Sequence, residues 1–236
     1  MADIRGTSGN NTLNGTIRPD WISGYDGLDT ISGGDGDDWL EGGPGIDQLY
    51  GDAGNDYLSG GPGKDWLDGG PGVGWLDGGE DDDTLFGDVD NDILQGGPGN
   101  DYLNGWPGDD RLYGGDGDDT LRGQVGRDVM SGGAGKDLFV FYDLAETGAD
   151  RATGDVITDF VSGSDKLDLS QLDANLTAPG DDAFTALIPA GQQFGAPGQL
   201  QFVDEVLYGN VDGDSTPELA IELTGVTTLL ATDVIA

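Results

Sequence analysis

A nine-residue pattern repeats fifteen times, without insertion or deletion, between Gly6 and Val140. Glycine fills the first position of all fifteen copies, and aspartate fills the sixth position in thirteen, with Asn11 and Gly74 as the exceptions. The eighth position is apolar in every copy. Self-similarity at a fixed short period is typical of a solenoid, in which each unit buries its apolar residue only by stacking on its neighbours.

Each nine-residue unit divides into two parts. The first six residues are rich in glycine, which adopts the positive φ angles of tight turns and lets backbone carbonyls point inward. The last three place one apolar side chain between two outward-facing ones, which predicts a very short strand. Two units make one coil of eighteen residues, so we expect an all-β fold, a right-handed parallel β-roll with two short parallel sheets. Its thin core would consist of the eighth-position residues Leu13, Ile22, Ile31, Leu40, Leu49, Leu58, Leu67, Leu76, Leu85, Leu94, Leu103, Leu112, Leu121, Met130 and Phe139.

The composition excludes several kinds of chemistry. The chain has 46 acidic residues against 9 lysines and arginines, and it contains neither histidine nor cysteine. Histidine- and cysteine-based nucleophiles, HExxH zinc sites and disulfides are therefore excluded. A net charge of -37 opposes binding to nucleic acid, and no apolar run is long enough to span a membrane. What remains for metal binding is oxygen, which suits hard cations such as calcium.

The sixth-position aspartates account for much of this charge. Turns two repeats apart would stack directly on one another and bring their carboxylates and carbonyls together. Without a cation this arrangement crowds like charges, whereas a calcium ion would lie in a cage of about six oxygens. We therefore expect folding and calcium binding to be one event. The candidate ligands are Asp20, Asp29, Asp38, Asp47, Asp56, Asp65, Asp83, Asp92, Asp101, Asp110, Asp119, Asp128 and Asp137.

Copies such as GGDGDDWLE at 33–41 and GGPGKDWLD at 60–68 resemble the calcium-binding nonapeptides of the RTX (repeats-in-toxin) family. The resemblance implies that each calcium ion lies between turns n and n+2 and takes both aspartates. Ten aspartate pairs are complete, which implies about ten ions. Gly74 would spoil two further sites, and Asn11 would weaken one. The resemblance also implies ligation by turn carbonyls, such as those of Gly33, Gly36, Gly42, Gly45, Gly60, Gly63, Gly96, Gly99, Gly114 and Gly117.

After Val140 the nine-residue phase stops and glycine becomes less frequent. Residues 155–170 (DVITDFVSGSDKLDLS) and 200–225 resemble the C-terminal part of serralysin-type secreted metalloproteases. We therefore divide the chain into the repeats, 1–140 with 6–140 in phase, and a C-terminal capping and secretion module at 141–236. Protease activity does not carry over, because the catalytic HExxH helix of that family has no counterpart in a chain without histidine.

The last four residues, Asp233 to Ala236, are similar to the C-terminal motif by which the serralysin family is exported through type I secretion machinery. Residues 1–15 lack the basic start and the apolar stretch of an N-terminal signal peptide. The resemblance thus implies a secreted, extracellular protein, exported without a signal peptide. Such a chain would stay unfolded in the calcium-poor cytosol and fold outside the cell.

Two further features have alternative interpretations. The outward-facing seventh positions of Trp21, Trp39, Tyr57 and Trp75 form an aromatic stripe, which suits either an extracellular polysaccharide or ordinary cross-strand stacking. We favour stacking. Asp212 and Asp214 alternate as in a calcium loop, but the EF-hand glycine and glutamate are missing, so we favour a solvated hairpin turn over an accessory calcium site.

An enzyme is the rival class to a calcium-binding module. Paired carboxylates cleave glycosides without histidine or cysteine, so a polysaccharide-acting enzyme is compatible with the composition. The regularly placed aspartates are, however, already assigned as calcium ligands, and the sequence shows no additional acidic pair in a predicted cleft. The sequence therefore predicts a non-enzymatic protein.

Overall fold

The repeats form short strands separated by tight turns. The computed structural model describes residues 1–175, 177 and 183–236. Residues 1–140 supply β1 (Asp3–Arg5), β2 (Thr12–Thr16), β3 (Trp21–Ser23), β4 (Thr30–Asp35), β5 (Trp39–Glu41), β6 (Gln48–Ala53), β7 (Tyr57–Pro62), β8 (Trp66–Asp68), β9 (Trp75–Glu80), β10 (Thr84–Phe86), β11 (Ile93–Pro98), β12 (Tyr102–Asn104), β13 (Arg111–Asp116), β14 (Thr120–Arg122), β15 (Val129–Ala134) and β16 (Leu138–Val140).

Alternate strands belong to different sheets. The odd-numbered strands from β1 to β15 lie side by side in one sheet, and the even-numbered strands from β2 to β16 lie side by side in the other. Neighbouring strands are parallel and offset by two repeats, so that Trp21 pairs with Trp39, and Trp39 pairs with Tyr57. This topology confirms the predicted parallel β-roll of two parallel sheets.

The core is a ladder of eighth-position side chains. Each of them from Ile22 to Phe139 is fully buried, at 0% exposure, and Leu13 at the first coil packs partly buried against the ladder. The residues on either side point outward, as in β5, where Leu40 is buried between the exposed Trp39 and Glu41. Burial of one leucine contributes about 1.5–3 kcal/mol, so the stability of the roll grows with the number of stacked coils.

The sheets continue beyond the repeats. The described part of residues 141–236 supplies β17 (Asp155–Ile157), β18 (Lys166–Asp168), β19 (Ala186–Ile188), β20 (Gln199–Val203), β21 (Val206–Asn210), β22 (Leu219–Leu223) and β23 (Val234–Ile235), with two short 3₁₀ helices at Leu144–Glu146 and Ala231–Asp233. The first sheet runs on from β15 through β17 and β22 to β21, β20 and β19. The second runs on from β16 through β18 to β23.

Strand β17 pairs in parallel with β15, and β18 pairs in parallel with β16, so both sheets cross Val140 without a break. The cap itself is an antiparallel arrangement of β20, β21 and β22 at the end of the first sheet. The division at 140/141 therefore stays a prediction from composition, because the hydrogen-bonded ladders do not end there. Within the described residues, no helix is long and apolar enough to cross a membrane.

Candidate metal centre

Each sixth-position aspartate links two stacked turns. The backbone amide of Asp38 donates a 2.7 Å hydrogen bond to Oδ1 of Asp56, and the amide of Asp47 donates a 2.8 Å bond to Oδ1 of Asp65. The same bond recurs along both sets of turns, at 2.7–3.1 Å. We call the aspartates of the even-numbered repeats, from Asp20 to Asp128, the even column, and those of the odd-numbered repeats, from Asp29 to Asp137, the odd column. The structure thus brings the predicted partners together within each column.

The second carboxylate oxygen, Oδ2, takes no part in these hydrogen bonds. Oδ2 of every sixth-position aspartate from Asp29 to Asp137 is buried and has no hydrogen-bond partner among the residues that the structure describes. Asp47 and Asp128, for example, are 0% exposed. An ionised carboxylate buried in this way is costly unless a cation compensates its charge. These side chains therefore fit the role of cation ligands.

The first-position glycines leave room at the same place. A Cβ atom on Gly42 would lie 2.5 Å from Oδ2 of Asp47 and 2.8 Å from the carbonyl oxygen of Gly60, which is too close for any side chain. A carboxylate oxygen and a carbonyl oxygen from the turn two repeats later therefore converge on one point that only glycine leaves open. Convergent oxygen atoms are the ligand set that calcium prefers. The same convergence occurs at Gly33, Gly60, Gly96 and Gly114.

The carbonyls of the fourth position lie elsewhere in the turn. The carbonyl oxygens of Gly36, Gly45, Gly99 and Gly117 each lie against the fourth-position glycine two repeats later, Gly54, Gly63, Gly117 and Gly135 respectively. The first-position carbonyls, by contrast, lie beside the aspartate oxygens. Whether each of these carbonyls binds calcium stays a prediction. The first-position carbonyls are the better placed, because they lie beside the aspartate oxygens.

Burial raises the pKa of the sixth-position carboxyl groups from Asp38 to Asp137. From an ordinary value of 3.8, the pKa rises to about 6 at Asp47, about 7 at Asp65 and about 8 at Asp83. Loss of hydration is the main cause, and a neighbouring aspartate adds to it, while the backbone hydrogen bond acts in the opposite direction. The metal-free turns therefore take up protons at a higher pH than free aspartates do, and a bound cation would displace them.

Asp20, at the start of the even column, differs from the other aspartates. Its Oδ2 accepts hydrogen bonds from the backbone amide and the hydroxyl of Thr16, at 2.8 and 2.7 Å, and its Oδ1 accepts one from the amide of Ala2. These bonds lower the pKa of Asp20, with the Ala2 amide as the largest cause. Asp20 is therefore satisfied by protein groups, and its role as a calcium ligand stays a prediction.

The even column continues beyond the repeats at Asp155, which the sequence analysis missed. The amide of Asp128 donates a 2.9 Å hydrogen bond to Oδ1 of Asp155, and Oδ2 of Asp155 is buried without a partner among the described residues. The available signal was the spacing, because Asp155 lies 27 residues, or three nonapeptide lengths, after Asp128. Burial and the negative charge of Asp128 raise the pKa of Asp155 well above its ordinary value.

The second acidic cluster lies in the hairpin between β21 and β22. Carboxylate oxygens of Asp212, Asp214 and Glu218 lie within 4.8 Å of one another. Oδ1 of Asp212 accepts the amide of Asp214 at 3.0 Å, and Oδ1 of Asp214 accepts the amide and the hydroxyl of Thr216 at 2.6 Å. Such local bonds are typical of a polar turn. The accessory calcium site at Asp212 and Asp214 stays a prediction.

The aromatic stripe is a continuous stack along β3, β5, β7 and β9. The ring centroids of Trp21 and Trp39 are 5.0 Å apart with planes 10° apart, and those of Trp39 and Tyr57 are 4.0 Å apart with planes 24° apart. Tyr57 and Trp75 meet in a tilted contact at 6.3 Å. The inner rings therefore cover one another's faces, which is the geometry of cross-strand stacking.

Comparisons with known protein families agree with this geometry. The family described as "RTX calcium-binding nonapeptide repeat (4 copies)" matches residues 5–40, and the family described as "Peptidase M10 serralysin C terminal" matches residues 30–236. No curated protein sequence matches the chain. One similar solved structure is the solution structure of the AlgE6R3 subunit from the Azotobacter vinelandii mannuronan C5-epimerase, with 25% identity, coverage of 66% of this chain and 78% of that chain, and a TM-score of 0.35. The chain is thus a calcium-binding RTX module, and it belongs to the family of serralysin C-terminal domains of peptidase M10.

Proposed function

We propose that this chain is a non-enzymatic module that folds outside the cell when its two columns bind about ten calcium ions. The observation that carries the proposal is the buried, unpartnered Oδ2 of the aspartates from Asp29 to Asp137. Each is already held by hydrogen bonding through Oδ1, as at Asp56, so its free oxygen is fixed in direction. An ion between stacked turns would use that oxygen without rearranging the strands.

The charge balance supports a folding switch. The formal charge of the chain is -37, and about ten calcium ions would reduce its magnitude to about 17. Without the ions, folding at neutral pH would bury two columns of carboxylates. The free-energy cost of burying them opposes the gain from burying the single ladder of core side chains. The free energy of calcium binding therefore makes the roll the stable state.

The C-terminus supports export before folding. Oδ2 of Asp233 accepts the hydroxyl of Ser162 at 2.6 Å and the amide of Leu230 at 2.9 Å, and Asp233 is 0% exposed. Strand β23, which follows it, pairs with β18 in the second sheet. Within a type I export motif at residues 233–236, the carboxylate of Asp233 would therefore be accessible only in the unfolded chain. We propose that scarce cytosolic calcium keeps it accessible until secretion.

The geometry also favours a non-enzymatic function over polysaccharide binding or turnover. The sixth-position aspartates lie within the stacked turns, where each is bound to a neighbouring turn. The Trp39 ring is stacked on both sides, by Trp21 and Tyr57, so a sugar would find its edge rather than a face. We propose that the aromatic stripe stabilises the first sheet.

Calcium titration followed by far-UV circular dichroism tests the proposed switch. In calcium-free buffer at neutral pH we expect a disordered spectrum, which changes cooperatively to a β spectrum when calcium, but not magnesium, is added. Equilibrium dialysis of the same protein would give the number of bound ions. A full β spectrum at neutral pH without calcium would refute the coupling of folding to metal binding.

A test of export uses the C-terminal motif in cells that have type I secretion machinery. Replacing Asp233 by asparagine should reduce the secreted fraction if the carboxylate belongs to the export motif. Asp214→Asn, which removes an exposed carboxylate from the hairpin, is the matched control. Equal secretion of both variants and the parent protein would refute the assignment of the motif.

A further inference from the structure

We propose that Asp155 and Asp128 form a calcium site outside the nonapeptide repeats, and that this site ties the C-terminal segment to the roll. The inference rests on the calcium-binding function proposed above. It adds a ligand that the repeat pattern does not contain and a role for metal in docking the rest of the chain.

The strand register gives Asp155 the position of a repeat aspartate. Strand β17 pairs with β15 so that Val156 lies beside Val129 and Ile157 beside Met130. Ile157 is 0% exposed and takes the next place in the core ladder. Asp155 therefore stands one coil beyond Asp128 in the even column, although the intervening chain is half a coil longer than between repeats.

The hydrogen bonds of Asp155 match those of the repeat aspartates. Its Oδ1 accepts the amide of Asp128 at 2.9 Å, and Oδ1 of Asp128 accepts the amide of Asp110 at 2.8 Å. Asp155 is 0% exposed, and its Oδ2, like that of Asp128, is buried without a partner among the described residues. Asp128 thus lies between two equivalent partners, Asp110 and Asp155, and each pair presents two free carboxylate oxygens to a cation.

The corresponding position of the odd column shows that this arrangement is not a general property of the cap. Asp165 follows Asp137 there, and its Oδ1 accepts the amide of Asp137 at 3.2 Å. Its Oδ2, however, accepts the amide of Val161 at 2.7 Å. Asp165 is therefore satisfied by the protein alone, as Asp20 is at the other end of the roll, whereas Asp155 is not.

A cation at Asp155 would couple two parts of the chain. Strand β17 lies between β15 of the repeats and β22 of the antiparallel cap, and Asp155 itself pairs with Ile221 of β22. The nearby buried carboxylate of Glu146 is engaged with Arg122 and with the amide of Tyr142, so Asp155 carries the unpartnered charge at this junction. An ion shared by Asp128 and Asp155 would hold β17 and, through it, β22 against the roll.

The test compares calcium stoichiometry in Asp155→Asn, Asp155→Ser and the control variant Asp165→Asn. We expect both Asp155 variants to bind one calcium ion fewer per chain than the parent protein, and Asp165→Asn to bind the same number. Hydrogen exchange in calcium should be faster at residues 155–157 and 219–223 of the Asp155 variants and unchanged at 57–62. The asparagine side chain of Asp155→Asn can still accept the hydrogen bond from the Asp128 amide, so this variant preserves a purely structural role of Asp155. It has no charge, so it does not replace a carboxylate ligand.

Each outcome is decisive. Equal stoichiometry in the Asp155 variants and the parent protein would overturn this inference and leave the proposed function intact, whereas a parent protein that binds no calcium would refute the proposed function itself. Failure of both Asp155 variants to fold in saturating calcium would also overturn the inference, because the loss of one ion among about ten should weaken the roll without abolishing it.

Discussion

The backbone amide of Gly74 donates a 2.7 Å hydrogen bond to Oδ1 of Asp92, as the aspartates of the other repeats do to their partners. The turn around Gly74 is therefore already in the conformation that a sixth-position aspartate adopts. Gly74 does not have a positive φ angle, and a Cβ atom there would lie 3.0 Å from the flexible end of Leu76 and 3.3 Å from Oδ1 of Asp92. An aspartate side chain would thus be accommodated with a small shift of Leu76.

We expect Gly74→Asp to increase the number of bound calcium ions by up to two, because it completes the pairs with Asp56 and Asp92. The melting temperature in calcium should rise by about 2–4 °C for each kcal/mol gained. Val73→Asp adds the same charge at the preceding, half-exposed position and should add no calcium. Equal stoichiometry in Gly74→Asp and the parent protein would contradict the assignment of the aspartate pairs.

The dependence of stability on pH should change sign when calcium is present. The pKa rises from 3.8 to about 7 at Asp110 and to about 8 at Asp92, because burial disfavours the charged form. The metal-free folded state therefore binds more protons than the unfolded state. The stability that these carboxyl groups contribute should be lost above pH 8 and should increase as the pH falls towards 4. It should reach its full value below the pKa of the unfolded chain.

Circular dichroism in calcium-free buffer at pH 5 and pH 8 tests this prediction, and the β signal should be larger at pH 5. In calcium the order should reverse, because protons compete with the ion for the same oxygens. A metal-free spectrum that is unchanged between the two pH values would contradict the raised pKa values.

The cap is held by a partly buried ion pair. Arg122 contacts Glu146, whose side chain is only 4% exposed, and the Arg122 guanidinium lies 4.2 Å from the centre of the Tyr142 ring. Glu146→Gln removes the charge that compensates Arg122, so we expect a loss of about 1–3 kcal/mol in the free energy of unfolding of the calcium-loaded protein. Thermal unfolding measures this loss.

Lys64→Gln is the control for the ion pair. It breaks the pair between Lys64 and Asp82, whose side chains are 60% and 39% exposed, and should cost less than about 1 kcal/mol. Equal destabilisation by the two substitutions would show that the pair at Glu146 does not fasten the cap.

The aromatic stack should contribute to stability rather than to sugar binding. Trp39→Thr removes ring contacts on both sides, each of which contributes about 0.5–1.5 kcal/mol, so the calcium-loaded protein should melt at a lower temperature. Retention on immobilised polysaccharide should match that of the parent protein. Gln48→Thr, at the same repeat position in the other sheet, is the control. A selective loss of retention in Trp39→Thr would favour the polysaccharide-binding alternative.

The roll was predictable because one physical constraint repeats in every unit. An apolar side chain at each eighth position and glycine at each first position define strand, turn and stacking register together, and the structure places Leu40 beside Leu58 as that register requires. The aspartate pairs followed from the same register. The stacking preference of Trp21 and Trp39 followed from their spacing of one coil, since side chains at equal positions of neighbouring parallel strands meet.

The end of the roll was harder to predict because the nine-residue sequence pattern stops after Val140, whereas both sheets continue. Residues 141–154 lack the glycine turns, so the phase of nine stops being visible, but β17 re-enters the ladder through backbone hydrogen bonds that depend on tertiary contacts. For the same reason Asp155 was missed. Asp20 was not predicted to be satisfied by protein groups either, because its hydrogen bonds from Thr16 and Ala2 are not visible in the repeat pattern.

Within the repeats, the sixth-position aspartates are linked to the residues at the same position two repeats before and two repeats after. This pattern of links determines how cooperative calcium binding should be. Each column is a one-dimensional lattice with nearest-neighbour coupling, and the even and odd lattices exchange no such bond. Gly74 divides the even lattice into a block of three aspartates, Asp20 to Asp56, and a block of four, Asp92 to Asp128 with Asp155, while the odd lattice runs from Asp29 to Asp137 without a gap. Correlation along an unbroken lattice increases with its length. The binding isotherm should accordingly be a superposition of steps with different steepness, and the steepest step should belong to the odd lattice.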